Sequence, residues 1–390
     1  MPARYDSIAM IRRLVGFDTT SRDSNLALIH WVRDYLAEWS VPSTLVHDPD
    51  GRKANLFATI GPKDRGGIML SGHTDVVPVD GQSWDSDPFD LVEKDGRLFG
   101  RGTTDMKSFL AVALALVPEM LARPLATPIH LALSYDEEVG CLGVRRLIDK
   151  LAEEPQRPRL CIVGEPSGMA VVAAHKGKRS WRYHVRGLEC HSSVPQIGVN
   201  AVEYAAEIVA RLNRIGRRYR DVGPFDPAFD PPYATVHVGT IKGGTALNIV
   251  PKDCRFEFEI RHPAEVDPLA FFAEIERQVR DEIEPDMTKI STETGVDFEF
   301  MSELPGLTTA EDHPVVQLAK AASGSNAVGK VSFGTEAGLF QRAGIPTVVC
   351  GPGAIEQAHK PNEFIATSQV EACEAFLRRV VDRARTESDR

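Results

Sequence analysis

The chain has 390 residues, 43% of them hydrophobic, and a formal net charge of −10. That length suits two domains, and the acidic balance argues against a nucleic-acid partner, whose phosphates need a concentrated positive field. No apolar run approaches the ~20 residues of a membrane span, no secretory core opens the chain, and six cysteines without a C-x-x-C pair give neither a zinc knuckle nor a redox motif, so a cytoplasmic protein with no membrane partner is expected.

Up to about residue 178, helical and strand patterns alternate. Ile29, Val32, Leu36 and Trp39 share one face of a helix expected over 26–39. Strands are expected over 55–60, 67–71 and 129–135, the last two as short apolar runs of the kind buried on both faces. Residues 109–121 read as a helix apolar nearly all round, which Pro118 kinks or ends early. This alternation implies an α/β fold class: a mixed, mostly parallel sheet sandwiched by helices.

The next stretch changes character. Strands are expected over 180–187, 233–241 and 253–261, helices over 200–220 and 268–283, and one more strand within 289–301. Cys254, Phe256, Phe258 and Ile260 alternate with Asp253, Arg255, Glu257 and Glu259 in strict period two. The order β-α-β-β-α-β is a split βαβ pattern that can fold by itself. Residues 179–299 are therefore read as an α+β domain inserted into a catalytic domain made of 1–178 and 300–390. Beyond about residue 300 the first pattern resumes, with a helix over 313–322, a strand over 346–350 and a terminal helix within 364–386.

Six residues stand in segments that suit a two-metal site: His73, Asp105, Glu137, Glu138, Glu165 and His359. Most follow an apolar, strand-like run, so their side chains can converge at one sheet edge. Each also has a plain structural reading. Asp105 precedes an apolar helix and suits an N-cap; Glu137 and Glu138 favour a helix N-terminus; Glu165 and His359 suit solvated loops. Asp75 lies two residues beyond His73, where a carboxylate can fix the tautomer of a metal-bound imidazole. Glu137 and Glu138 are adjacent and diverge on a regular strand, so both serve one site only if the backbone bends, which Val139-Gly140 makes feasible.

Together these segments resemble the metal-dependent exopeptidase and deacylase family that includes aminoacylases, acetylornithine deacetylase, succinyl-diaminopimelate desuccinylase and the glutamate carboxypeptidases. The pieces that carry the resemblance are Ser71-Gly-His-Thr-Asp-Val-Val-Pro78, Gly100-Arg-Gly102 with Asp105-Met-Lys107, Asp136-Glu-Glu138, Gly164-Glu-Pro166 and Ala358-His359. The resemblance implies two divalent ions, zinc or else cobalt. His73 and Glu165 would hold one, Glu138 and His359 the other, with Asp105 between them and a cis peptide after Asp105. It implies Glu137 as general base and Asp75 as the partner of His73. It also implies that the inserted domain forms a homodimer and closes over the site, with His191 stabilising the oxyanion across the dimer. Asn248, Arg261, Gly334 and Thr335 would bind substrate, the arginine fork suiting a free carboxylate.

Within the family, Tyr135-Asp-Glu-Glu-Val-Gly-Cys-Leu-Gly143, Ala174-His-Lys-Gly-Lys178 and Phe333-Gly-Thr-Glu-Ala337 are most similar to the acetylornithine deacetylase branch. That branch implies hydrolysis of N²-acetyl-L-ornithine to L-ornithine and acetate, in arginine biosynthesis. Other N-acyl amino acids, succinyl-diaminopimelate or small peptides are the alternative substrates. A metal or amino-acid binder without catalysis is the reading from another class, and the presence of every expected ligand and of the base disfavours it.

Overall fold

The computed structural model describes residues 5–154 and 156–386. They divide into two compact units. The first comprises the described residues up to Ala174, Leu307–Lys330 and those from Thr335 onward; the second comprises His175–Gly306 and Val331–Gly334. The boundaries expected at 178 and 300 fall inside the strands Gly177–Arg186 and Gly295–Leu304.

The first unit is built on a nine-stranded sheet. Its order is Ser43–His47, Ala54–Ile60, Ile129–Ser134, Ile68–His73, Leu160–Pro166, Thr347–Gly351, Val171–His175 and Leu307–Thr308, with Val328–Val331 paired beside Val171–His175. The four strands from Ile129–Ser134 to Thr347–Gly351 are mutually parallel, and antiparallel neighbours flank them. Every residue of Ile68–His73 and Ile129–Ser134 is buried, which is why these strands read as continuous apolar runs. A strand order that departs from chain order opens a crevice at the carboxyl ends of parallel strands, the place where open α/β sheets bind ligands.

The apolar helix expected over 109–121 is two helices, Lys107–Ala115 and Val117–Ala122, separated at Leu116. Pro118 sits in the first turn of the second helix, where its missing N–H removes no hydrogen bond. The first of the two is buried along eight of its nine residues and crosses the sheet closely. A Cβ on Gly164 would lie 1.9 Å from the Phe109 ring, so only glycine allows this approach next to Glu165.

The second unit is a four-stranded antiparallel sheet ordered Thr235–Gly243, Asp253–His262, Gly177–Arg186 and Gly295–Leu304. Its chain order is β-α-β-β-α-β, with Ala201–Val222 as the first helix. The second helix begins as Pro268–Gln278, passes through a π-helical turn at Val279–Ile283 and ends as Glu284–Thr288. Cys254, Phe256, Phe258 and Ile260 are all buried, and they join Trp181, Tyr183 and Phe271 in one core. Among the described residues no helix is long and apolar enough to cross a membrane.

His130, on a central strand of the first unit, is buried, stacks on Phe57 at 5.3 Å and lies 3.0 Å from Thr59 Oγ1. Burial pushes its pKa down to about 4. The native ring therefore stays neutral where the unfolded ring charges, so its contribution is intact above pH ~6.5 and is lost as pH falls towards 4. His130→Leu is expected to lose less stability than the parent over that window, by about 1.4 kcal/mol per pH unit. Urea unfolding at pH 4.5, 5.5 and 7.5 measures this, and a pH-independent difference between the two proteins contradicts it.

Candidate metal centre

The parallel strands deliver the site. His73 closes the strand Ile68–His73, and Glu165 lies near the end of Leu160–Pro166. Glu137 and Glu138 follow Ile129–Ser134, while Asp105 immediately precedes Met106, the cap residue of the helix Lys107–Ala115. His359 follows a short 3₁₀ turn, Ile355–Gln357, and has a φ of +63°. All six are in the first unit.

They converge. His73 Nε2 lies 2.9 Å from Asp105 Oδ1 and 3.6 Å from Glu165 Oε1. His359 Nε2 lies 3.3 Å from Asp105 Oδ2 and 3.0 Å from Glu138 Oε2. Asp105 thus offers one oxygen to each imidazole. Two overlapping groups have all their donor atoms within 4.8 Å of one another: His73, Glu137 and Glu165, and His73, Asp105 and Glu138. Glu137 therefore lies as near to His73 and Glu165 as a ligand would, and His359 joins through its own pairs with Asp105 and Glu138. Five of the six side chains are largely buried, and the His359 side chain is 52% exposed, leaving that side open.

Asp105 is not a helix cap. The helix Lys107–Ala115 has no side-chain cap, and the Asp105 carboxylate faces the two histidines instead. The Asp105–Met106 peptide is cis. The bend that lets Glu137 and Glu138 share a site begins before Val139-Gly140, at Asp136, whose φ is +54°. Lys53 Nζ donates to the Asp136 carboxylate at this bend. The following helix starts at Gly143.

Asp75 meets His73 through its backbone. His73 Nδ1 donates to the Asp75 carbonyl at 2.9 Å, which leaves Nε2 for the site, while the Asp75 carboxylate is 3.6 Å away. That carboxylate accepts from Glu137 N at 3.1 Å, Glu138 N at 3.2 Å and Ser21 Oγ at 2.8 Å. Two further buried carboxylates carried no chemistry in the sequence reading. Glu336 accepts from Ser71 Oγ at 2.6 Å and Ser134 Oγ at 2.8 Å, on adjacent parallel strands. Glu363 accepts from Thr104 N at 2.8 Å and Asp105 N at 3.1 Å. A full-length glutamate beside a ligand segment, as in Thr335-Glu336-Ala337 and His359-Lys-Pro-Asn-Glu363, is the only sequence signal for either.

The protonation balance follows from burying like charges. Burial, then the charges of Glu138 and Asp105, push Glu137 up to about 8, although His73 opposes this. Burial and Asp105 raise Glu138 and Glu165 as well. Hydrogen bonds to Asp105 and Glu138 lift His359 to about 10. Burial opposes a charged His73, but its bonds to Asp105 and Asp75 outweigh that and raise it. The cluster therefore gathers protons when left to itself.

The donor set fits divalent cations. Zinc–nitrogen and zinc–oxygen bonds of ~2.0–2.2 Å bring neighbouring ligand atoms to roughly 3–3.5 Å, the range of the imidazole–carboxylate separations here. Cations would also take the place of the protons that the crowded carboxylates attract. All donors are imidazole nitrogen or carboxylate oxygen, which suits zinc and related first-row ions.

The remaining expected residues have separate settings. In the second unit His191 is exposed, with Nδ1 2.8 Å from Ser193 Oγ, and it forms an isolated β-bridge with Ile249. The Asn248 carbonyl accepts from Ser192 N at 3.1 Å, so the His191 and Asn248 loops are tied together. Arg261 Nε donates to Glu259 Oε1 at 2.8 Å on the same strand. A Cβ on Gly334 would lie 2.5 Å from Leu304 Cδ2. Thr335, in the first unit, is buried and its Oγ1 accepts from Ala337 N at 3.1 Å.

Comparison with known proteins gives consistent matches. The profile described as Peptidase family M20/M25/M40 matches residues 69–383. An acetylornithine deacetylase of Yersinia pseudotuberculosis is 34% identical over 387 residues, covering 97% of this chain and 96% of the relative. One from Myxococcus xanthus is 36% identical over 378 residues, covering 96% of each. In fold, the chain is similar to an M20 family metallo-carboxypeptidase from Sulfolobus solfataricus, with a TM-score of 0.77, 18% identity and coverage of 98% and 100% of the two chains. It is also similar to a dinuclear metal-binding peptidase of the M20 family from Bacillus subtilis, with a TM-score of 0.67, 16% identity and 96% coverage of both.

Because cations offset the repulsion among these carboxylates, exhaustive chelation is expected to lower the unfolding temperature. Excess zinc should restore it, each occupied site adding about 4 kcal/mol of stability at a thousandfold excess over its Kd. Differential scanning calorimetry of chelated and reconstituted protein checks this, and identical curves would contradict a buried cation site.

Proposed function

The chain belongs to peptidase family M20/M25/M40, and we propose that this hydrolase removes the acetyl group from N²-acetyl-L-ornithine with the help of two divalent ions. The observation that supports the chemistry is the meeting of His73, His359, Asp105, Glu137, Glu138 and Glu165 at the carboxyl ends of parallel strands. The substrate rests on relatives named acetylornithine deacetylase, 32–36% identical over nearly the whole chain.

In this reading His73 and Glu165 would hold one ion and Glu138 and His359 the other, with Asp105 a ligand candidate for both. Such a pair, when bound, lowers the pKa of water towards ~7 and polarises the acyl oxygen. Glu137 receives the proton that water loses as its oxygen attacks the acyl carbon. It passes that proton to the nitrogen as the C–N bond breaks, giving acetate and the free amine. Burial and the neighbouring carboxylates push its pKa up, which supports a proton-accepting role. Asp75 holds the backbone of Glu137 and, through its carbonyl, the His73 ring.

Substrate recognition is assigned to four further residues and to His191. Arg261 binds the α-carboxylate, Asn248, Gly334 and Thr335 line the site, and His191 steadies the oxyanion across a homodimer. Zinc is the preferred ion on ligand chemistry, with cobalt able to replace it. The setting is cytoplasmic, in arginine biosynthesis.

Hydrolysis of N²-acetyl-L-ornithine, assayed beside succinyl-diaminopimelate, other N-acetyl amino acids and dipeptides, tests the substrate. A higher kcat/KM on any of the others reassigns it. Glu137→Gln should retain two equivalents of metal and lose at least ~10²-fold in kcat. A variant that turns over normally, or that loses its metal, removes the base role.

A further inference from the structure

Glu363 and Arg101 form a buried pair, extended by the partly buried Gln82 into a relay that no residue of the proposed reaction requires for its chemistry. Glu363 and Arg101 are each 1% exposed, and Arg101 Nη1 donates to Glu363 Oε2 at 2.6 Å. A buried ion pair contributes little net stability over an apolar pair of the same shape, so its presence asks for another reason. The second carboxylate oxygen supplies one. Glu363 Oε1 accepts from Thr104 N and Asp105 N, and Oε2 also accepts from Gly102 N at 3.1 Å. One carboxylate thus gathers the orphan backbone N–H groups of the turn that aims Asp105.

The same relay reaches the other ligand segment. Arg101 Nη2 donates to Gln82 Oε1 at 2.7 Å, and Gln82 Nε2 donates to the His359 carbonyl at 2.9 Å. Trp84 Nε1 also donates to Gln82 Oε1 at 3.1 Å, which fixes the amide orientation, and the Arg101 guanidinium lies 5.1 Å from the Trp84 ring. His359 needs such support more than the other ligands. It stands outside any strand, at positive φ, with a half-exposed side chain. His73, by contrast, closes a fully buried strand.

We infer that Glu363, Arg101 and Gln82 are positioning residues that hold His359 against Asp105 and so set the affinity of the ion bound by Glu138 and His359. This rests on the two-metal reading above and deepens it. Removing an outer partner of a metal ligand typically costs ~10–100-fold in metal affinity.

The test is zinc binding by the full chain, measured by chelator competition and by metal content after dialysis against buffered zinc, for the parent, Gln82→Ala and Glu363→Gln. The parent should bind two ions. Gln82→Ala should keep one ion at parental affinity and hold the other ~10–100-fold more weakly, with its metal-free unfolding temperature unchanged, whereas Glu363→Gln, which also frees the turn that aims Asp105, should weaken both ions. Gln82 is only partly buried and lies outside the Glu363–Arg101 pair, so it decides the matter even if Glu363→Gln does not fold. A parent with two ions and a Gln82→Ala variant with the same two affinities overturns the relay. A parent that binds no divalent ion overturns the two-metal reading itself, and the relay with it.

Discussion

The structure is governed by the need to hold several carboxylates and only two imidazoles in one largely buried space. Two like unit charges about 4 Å apart repel by roughly 4 kcal/mol at an effective dielectric of ~20. Asp105 and Glu165 are buried, Glu137 and Glu138 are partly buried, and the buried Asp75 hydrogen-bonds their backbone. The glutamates and imidazoles are shifted upward together, whereas Asp105 is held low by hydrogen bonds from both histidines and Asp75 by His73, Ser21 and the Glu137 N–H. A cluster with that bias has a standing demand for positive charge. Protons meet it poorly, because they must be shared among sites of different geometry, and divalent ions meet it with the ligands already in place.

Holding such a cluster together demands a frame that does not yield. Parallel strands buried on both faces supply it. Glu336 ties Ser71 and Ser134 across neighbouring strands, two residues before His73 and two before the bend at Asp136. Phe109 packs against Gly164 so closely that the strand beside Glu165 has no room to shift. Backbone N–H groups do much of the remaining work, because they are donors of fixed position that carry no net charge.

The sequence reveals the parts of this arrangement that depend on local pattern. Apolar runs mark the buried strands, strict alternation marks Asp253–His262, and the ligand segments stand out through the resemblance they share with a family. What it hides depends on contacts between distant segments. The break at Leu116 was legible only as a Pro118 effect nearby, since Pro118 is tolerated in a first helical turn and the helix divides ahead of it. The bend at Asp136 is invisible because any L-residue at positive φ is unexpected, and what accompanies it, Lys53, is 83 residues away. Glu336 and Glu363 look like ordinary glutamates because their partners are 202 to 265 residues distant. A single sequence gives spacing, and burial without exposure to solvent is a property of the packed chain.

Asp75 shows how one residue can resolve a conflict written into the sequence. Adjacent side chains on a strand point to opposite faces, yet the chemistry asks Glu137 and Glu138 to face one site in different roles. The two oxygens of Asp75 take the two consecutive N–H groups, one each. That clamps the backbone in a turn, so both carboxylates swing to the same side. Their surroundings then separate them. Glu138 faces His359 at 3.0 Å, whereas Glu137 Oε1 accepts from the Cys141 thiol at 3.2 Å and has its own carbonyl bound by Gly140 N and Cys141 N. A carboxylate engaged from behind by a weak donor stays oriented without being neutralised, which suits the base role proposed for Glu137. Asp75 therefore matters less as a relay for the His73 ring, which its carbonyl alone would orient, than as the anchor that makes two neighbouring glutamates available to one site.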